Sequence, residues 1–140
     1  MARKGPGFGE VLGDICWLMA QSAHHKHIFL ADLEWLVIPA LTARQFRVLK
    51  AGTKPMAYVS WAHLSEDAEA RLLSGQPRLR PADWKSGDRL WVIDVVAPFG
   101  GNDEILRTLK KQHFADVSIR SLRPRADGKG FEAWEIPSGD

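Results

Sequence analysis

Along the first twenty positions apolar residues recur at three- and four-residue spacing: Phe8, Val11, Leu12, Ile15, Leu18 and Met19. That period places them on one stripe of an α-helix. Ser22-Ala23-His24-His25-Lys26-His27 breaks the stripe with polar residues and predicts a turn. A second apolar segment, residues 29–41, reads as helix interrupted at Pro39, whose ring disfavours helical backbone at Ile38. The period then shortens to two. Residues 45–50 and 54–61 read as strands of a hairpin turning at Ala51-Gly52-Thr53. Ser65 is the expected N-cap of a helix through Ala68, Leu72 and Leu73, with Glu66 and Asp67 in its first turn and Gly75 beyond its end. Residues 76–85 form a proline-rich connector.

Residues 88–96 are almost continuously apolar, as expected of a central strand covered on both faces. A helix starting at Asn102 or Asp103 runs through Ile105, Leu106 and Leu109 to about His113. Residues 117–123 and 131–136 complete a hairpin joined by Ala126-Asp127-Gly128-Lys129-Gly130. The order α, α, β, β, α, β, α, β, β predicts an α/β (α+β) fold, a mixed twisted sheet flanked by helices. Residues 1–140 read as a single domain with residues 1–7 flexible.

Composition narrows the class. Nineteen basic against 17 acidic side chains leave a net charge of +2, too balanced to argue for a nucleic-acid partner. No apolar run approaches the roughly 20 residues of a membrane span. The basic N-terminus lacks the apolar core of a signal peptide. One cysteine, Cys16, excludes an internal disulfide and fits a cytoplasmic location. On the first helix beside Trp17 it reads as a packed thiol rather than a nucleophile. Six tryptophans point to bulky core packing or an apolar binding surface.

Asp94 is the residue in most need of a reason. A carboxylate inside Leu90-Trp91-Val92-Ile93-Asp94-Val95-Val96 is costly unless exposed, paired or used. His24, His25 and His27 supply imidazoles that titrate near neutral pH, so one of them is a candidate general base. No nearby Cys or second acidic cluster completes a metal-ligand set with them. Ser22, His25 and Asp94 together suggest a hydrolase triad, although Ser22 lacks the Gly-x-Ser-x-Gly setting of a nucleophile elbow. Ala97-Pro98-Phe99-Gly100-Gly101-Asn102 joins the central strand to a helix, and such a junction offers free N–H groups to an anionic oxygen. Arg107, Lys110 and Lys111 on that helix form a candidate surface for an acidic partner.

Several blocks, in order, carry a family resemblance: Val11-Leu12-Gly13-Asp14-Ile15-Cys16-Trp17-Leu18, then residues 22–25, and Ile38-Pro39-Ala40. The next are Pro55-Met56-Ala57-Tyr58-Val59-Ser60-Trp61-Ala62-His63-Leu64-Ser65 and Asp83-Trp84-Lys85-Ser86-Gly87-Asp88-Arg89-Leu90-Trp91-Val92-Ile93-Asp94, followed by Ala97-Pro98-Phe99-Gly100. Together they are similar to the toxin-activating lysine acyltransferases, enzymes that fatty-acylate RTX protoxins.

The resemblance implies a fold similar to the Gcn5-type N-acetyltransferases. It implies acyl transfer to internal lysines of an RTX protoxin, with acyl carrier protein as donor through its phosphopantetheine thioester and no bound cofactor. The family's essential histidine falls on His25, with His24 one register away, its essential aspartate on Asp94, and a nearby serine on Ser22. Leu36 stands where the family pattern has an asparagine. A homodimer is the expected state. For the thioester and acyl chain the candidates are Trp61, Phe99, Gly100 and Gly101, with Phe29, Leu33 and Trp35 as further slot residues. Arg107, Lys110 and Lys111 are the candidates for the carrier protein. Asp94 has two open roles, orienting the imidazole or gripping the incoming lysine. A thioesterase or esterase using Ser22, His25 and Asp94, and a non-catalytic module that binds acyl carrier protein or an RTX chain, are the competing readings.

Overall fold

The structure is a computed structural model and describes residues 7–75, 78–125, 127 and 131–137. The expected flexibility of residues 1–7 therefore lies outside the described residues except at Gly7, as do Gln76 and Pro77 of the connector and most of the turn at 126–130.

Helix α1 spans Phe8–Ala20 and buries Ile15, Leu18 and Met19 from the predicted stripe. The second apolar segment is not one helix. It is a 3-10 turn, Leu30–Asp32, then α2, Leu33–Leu36, and α3, Ile38–Ala43. The break falls at Val37, one residue before the expected point, and Pro39 sits within the first turn of α3. There its missing N–H is needed by no helical bond, which is why proline suits a helix start. Arg44 ends α3 in the left-handed region, with φ of 58°.

Strands β1, Phe46–Ala51, and β2, Lys54–Leu64, form the predicted hairpin, with β2 three residues longer at its end than the pattern indicated. Ser65 caps α4, Glu66–Leu73, by accepting from the Ala68 N–H at 3.1 Å. Strand β3, Arg89–Val96, leads into α5, Asn102–His113. Strands β4, Ile119–Pro124, and β5, Phe131–Ile136, complete the sheet.

The sheet order is β1-β2-β3-β4-β5, so β3 is central as its apolar sequence required. It pairs antiparallel with β2 and parallel with β4, the latter only at Trp91↔Arg120 and Val92↔Ser121. Helix α5 covers one face, where Val59, Trp61, Leu90, Val92, Leu106 and Leu109 form one core cluster. On the other face Ile15, Leu18, Val37 and Leu41 close over Tyr58 and Val96. Farther along it, Ala68 and Leu72 of α4 pack with Ala62, Leu64 and Trp91.

One irregularity in the sheet sets the direction of Asp94. Across β2 and β3, Ser60 pairs with Asp94 but Trp61 pairs with Val92, which leaves Ile93 as the extra residue of a bulge. In an unbroken strand Val92, Asp94 and Val96 would share a face. Here Val92 lies under α5 while Val96 lies under α1. The bulge has rotated the end of β3, and Asp94 turns with it toward α1.

The connector uses its acidic residue structurally. Asp83 is buried and accepts from Arg71 at 2.8 and 3.0 Å and from the Arg80 N–H at 2.8 Å. The hydrogen bonds from Arg71 lead in pulling its carboxyl down from 3.8 to about 2.

Candidate active site

His25 stands in the turn that leaves α1. The Ser22 carbonyl accepts the N–H groups of His25 at 3.0 Å and Lys26 at 2.9 Å, and the His25 carbonyl accepts Ile28 N–H at 3.1 Å. Those bonds aim the imidazole inward while His24 and His27 stay exposed. Of the two neighbours His24 and His25, it is His25 whose ring faces the sheet.

Its two ring nitrogens are both engaged. Nε2 lies 2.8 Å from Asp94 Oδ1, and Nδ1 lies 2.6 Å from Ser22 Oγ. A carboxylate can only accept, so Nε2 carries the proton of the neutral ring and Nδ1 keeps the lone pair. The Ser22 hydroxyl then donates to Nδ1. The contact between His25 and Asp94 joins the turn after α1 to the bulged end of β3, residues 69 positions apart. Ser22, His25 and Asp94, three residues singled out in the sequence, thus meet in one hydrogen-bonded row.

Below this row lies Tyr58, fully buried, whose phenol is pushed well above its ordinary pKa by burial and further by the Asp94 charge. Cys16, on α1, is also raised by burial, which keeps the thiol protonated and matches its reading as packing.

A cleft of about 1350 Å³ has His24 and Ala97 among its lining residues, while Ser22, His25 and Asp94 themselves do not line it. Gly100, Gly101, Arg107 and Lys111 line it too. Gly100 and Gly101 adopt φ of +95° and +89°, a consecutive left-handed pair that side chains resist. Gly101 is the N-cap of α5. Of the backbone donors at the junction of residues 97–102, that of Gly100 is given to Ala97 O at 3.0 Å.

Three sequence expectations need correction. Trp61 is only 8% exposed and packs edge-on to Phe114 beneath α5, on the face away from Asp94, so it is core. Lys110 keeps 1% of its surface, and its ammonium donates to Ala115 O at 2.7 Å, so it closes the end of α5 and is not presented to a partner. Phe29 is 77% exposed and is not among the residues lining the cleft. Of the remaining candidate residues, Phe99 lies exposed against Trp17, with Lys54 Nζ 4.7 Å from its ring centre. Leu36 packs with the α1 cluster, and Trp35 donates to Asp32 at 3.0 Å.

The row has two polar neighbours that sequence reading passed over, Ser60 and Tyr58. Ser60 is directly opposite Asp94 on β2. Its signal was available: a hydroxyl inside the apolar run Tyr58-Val59-Ser60-Trp61, two residues from the only tyrosine.

A serine, a histidine and a carboxylate hydrogen-bonded in series form a grouping that serves acyl-group chemistry. The family model of the RTX toxin acyltransferases (HlyC) matches residues 7–134. The chain belongs to that family. Over 114 residues it is 39% identical to the protein-lysine myristoyltransferase HlyC of Escherichia coli, a match covering 81% of this chain and 66% of that protein. Over 139 residues it is 36% identical to the RTX-I toxin-activating lysine-acyltransferase ApxIC of Actinobacillus pleuropneumoniae, covering 99% of this chain and 80% of the relative. It is likewise 39% identical to the leukotoxin-activating lysine-acyltransferase LktC serotype A1 of Mannheimia haemolytica, over 81% of this chain and 68% of that one. The chain thus spans about two thirds of the length of the first and third of these relatives.

Proposed function

We propose that the protein moves a fatty acyl group from the phosphopantetheine thioester of acyl carrier protein to the ε-amine of an internal lysine of an RTX protoxin, in the cytoplasm. The observation that carries this reading is the row Ser22–His25–Asp94 in a chain of this family.

The chemistry sets the requirement. A lysine ammonium with pKa near 10.4 is neutral in only about one part in 2,500 at pH 7, and only the neutral amine attacks. A base at the amine therefore contributes about 10²–10⁴ in rate. Nδ1 of His25 is that base, reached through the Ser22 hydroxyl. Ser22 passes its own proton to Nδ1 while taking one from the amine. Asp94 orients the ring and steadies the imidazolium. The amine nitrogen bonds to the thioester carbon, the carbon–sulfur bond breaks, and His25 returns the proton to the departing thiolate. Exposed Arg107 and Lys111 on α5 supply the positive surface for an acidic carrier protein. Gly100 and Gly101 let the thioester approach the backbone closely.

The test is the mass of a protoxin lysine peptide after incubation with acyl carrier protein. His25→Ala should leave it unmodified while the circular-dichroism spectrum is unchanged. Full acylation by that variant removes His25 from the mechanism.

A second reading, a covalent acyl-Ser22 intermediate, is favoured by the 2.6 Å contact between Ser22 Oγ and Nδ1. Against it, Ser22 lacks the Gly-x-Ser-x-Gly setting that presents a nucleophile on a strand-to-helix turn, and its carbonyl and N–H are both committed to the turn after α1. Ser22→Ala separates the two. A relay's loss is partial, since the amine can then reach Nδ1 itself. A nucleophile's loss is as severe as that of His25.

A further inference from the structure

Asp94 uses one of its two oxygens. Oδ1 accepts from His25, while Oδ2 is buried and has no hydrogen-bond partner among the described residues. Two hydroxyls beside it share that condition, Ser60 Oγ and Tyr58 Oη. Buried polar atoms without partners are rare and costly, and three together on one side of a single carboxylate are not a packing accident. Their chemistry is complementary: two donors and one acceptor.

Position supports the match. Ser60 and Asp94 are cross-strand partners, and the bulge at Ile93 brings Asp94 onto the α1 face that Ser60 already shares with Tyr58. Side chains directly opposite in an antiparallel pair have Cβ atoms about 4.5–5.5 Å apart, so the Ser60 hydroxyl reaches the carboxylate by side-chain rotation alone. Tyr58 is two residues back on β2 and so lies on the same face. It packs with Ile15, Leu18 and Val96, which shut it off from water. Ser60 and Asp94 both act on the charge state of its phenol, which places the three groups within one electrostatic neighbourhood. The titratable groups that meet Asp94 are therefore His25 from the turn and Tyr58 from β2.

We infer that Ser60 and Tyr58 are positioning residues for Asp94: Ser60 donates to Oδ2, and Tyr58 donates to Ser60. The row then has five members, Tyr58, Ser60, Asp94, His25 and Ser22, running from the core to the turn after α1. Neither new member touches substrate. Their work is to hold the carboxylate in the one orientation that aims Oδ1 at Nε2. Without them the carboxylate turns about its own axis and the imidazole is aimed loosely.

This inference rests on the reading that His25 and Asp94 do the chemistry, and its test is chosen to fail separately. Ser60→Ala and Tyr58→Phe each delete one hydroxyl from the full chain. The first readout is the proton-NMR signal of the His25 Nε2–H, which hydrogen bonding to a carboxylate carries far downfield. It should move upfield or broaden in both variants. The second readout is steady-state acylation, where kcat should fall about tenfold in Ser60→Ala, which loses a hydrogen bond to a charged group, and severalfold in Tyr58→Phe, which loses one between neutral hydroxyls, with KM unchanged in both. Melting temperatures confirm that both variants fold. Wild-type kcat in both variants, or a fall in kcat with the downfield proton unmoved, overturns the proposal. If His25→Ala were fully active the proposed function would fail, while the NMR signal would still report whether these hydroxyls hold Asp94.

Discussion

Replacing Asp94 by asparagine removes the charge beside His25 while keeping the side chain's size. The two side chains meet at 2.8 Å and expose 12% and 13% of their surfaces. A pair so placed is neither in bulk water nor in a dry interior. At an effective dielectric near 20, unit charges about 4 Å apart attract by about 4 kcal/mol. That attraction exists only after the ring has taken the amine's proton, so its loss falls on the transition state and hence on kcat. About 4 kcal/mol corresponds to nearly three decades of rate, and partial solvent access trims this to roughly 10²–10³.

A second effect has the same sign. An amide can turn its NH₂ toward Nε2, which forces the ring proton onto Nδ1 and abolishes the base. The assay is single-turnover transfer from acyl carrier protein to a lysine peptide, followed by mass, with the melting temperature measured alongside. An Asp94→Asn rate within about fivefold of wild type, at unchanged melting temperature, refutes the role given to this carboxylate.

Three further outcomes are expected. Asp83, 5% exposed, has its carboxyl held at about 2 in the fold against 3.8 in its absence. A lowered folded-state pKa contributes stability above the unfolded value and loses it as pH falls through 3.8 toward 2, so the urea-stability gap between wild type and Asp83→Asn should shrink by about 2 kcal/mol from pH 5 to pH 2. A constant gap would mean that the Arg71 contact does not hold the charge. At Gly87 an added Cβ would stand 2.5 Å from Leu64 O and 2.7 Å from Ser65 Cα, both backbone atoms. Gly87→Ala should cost about 1–3 kcal/mol and lower the melting temperature by several degrees, and an unchanged melt would show that this junction yields. Charge reversal at Arg107 and Lys111 should raise KM for acyl carrier protein at low salt, leave kcat intact and flatten the salt dependence. An unchanged KM would place the carrier elsewhere.

Much of this architecture was legible in the chain. The stripe on α1, the hairpin of β1 and β2, the Ser65 cap and the central place of β3 all follow from short-range pattern, because helices and strands expose their burial in periods of 3.6 and 2. Asp94 also announced itself, since an ionisable group in an apolar strand must be explained by something outside the strand. The same local pattern misassigned Trp61 and Lys110. An aromatic or a lysine in a suitable segment reads alike whether it faces a ligand or the core, and only packing tells which.

The identities of Ser22, His25 and Asp94 were legible in the chain, but their meeting was not. His25 depends on backbone bonds within the turn after α1, which select one of three neighbouring imidazoles. Asp94 depends on one surplus residue, Ile93, in a stretch with no glycine or proline to mark a bulge. Strand side chains alternate with period two, so a single inserted residue exchanges the two faces of everything after it. Whether Asp94 lay under α5 or beside His25 was therefore decided by the pairing of β3 with β2, a long-range contact that no local pattern encodes.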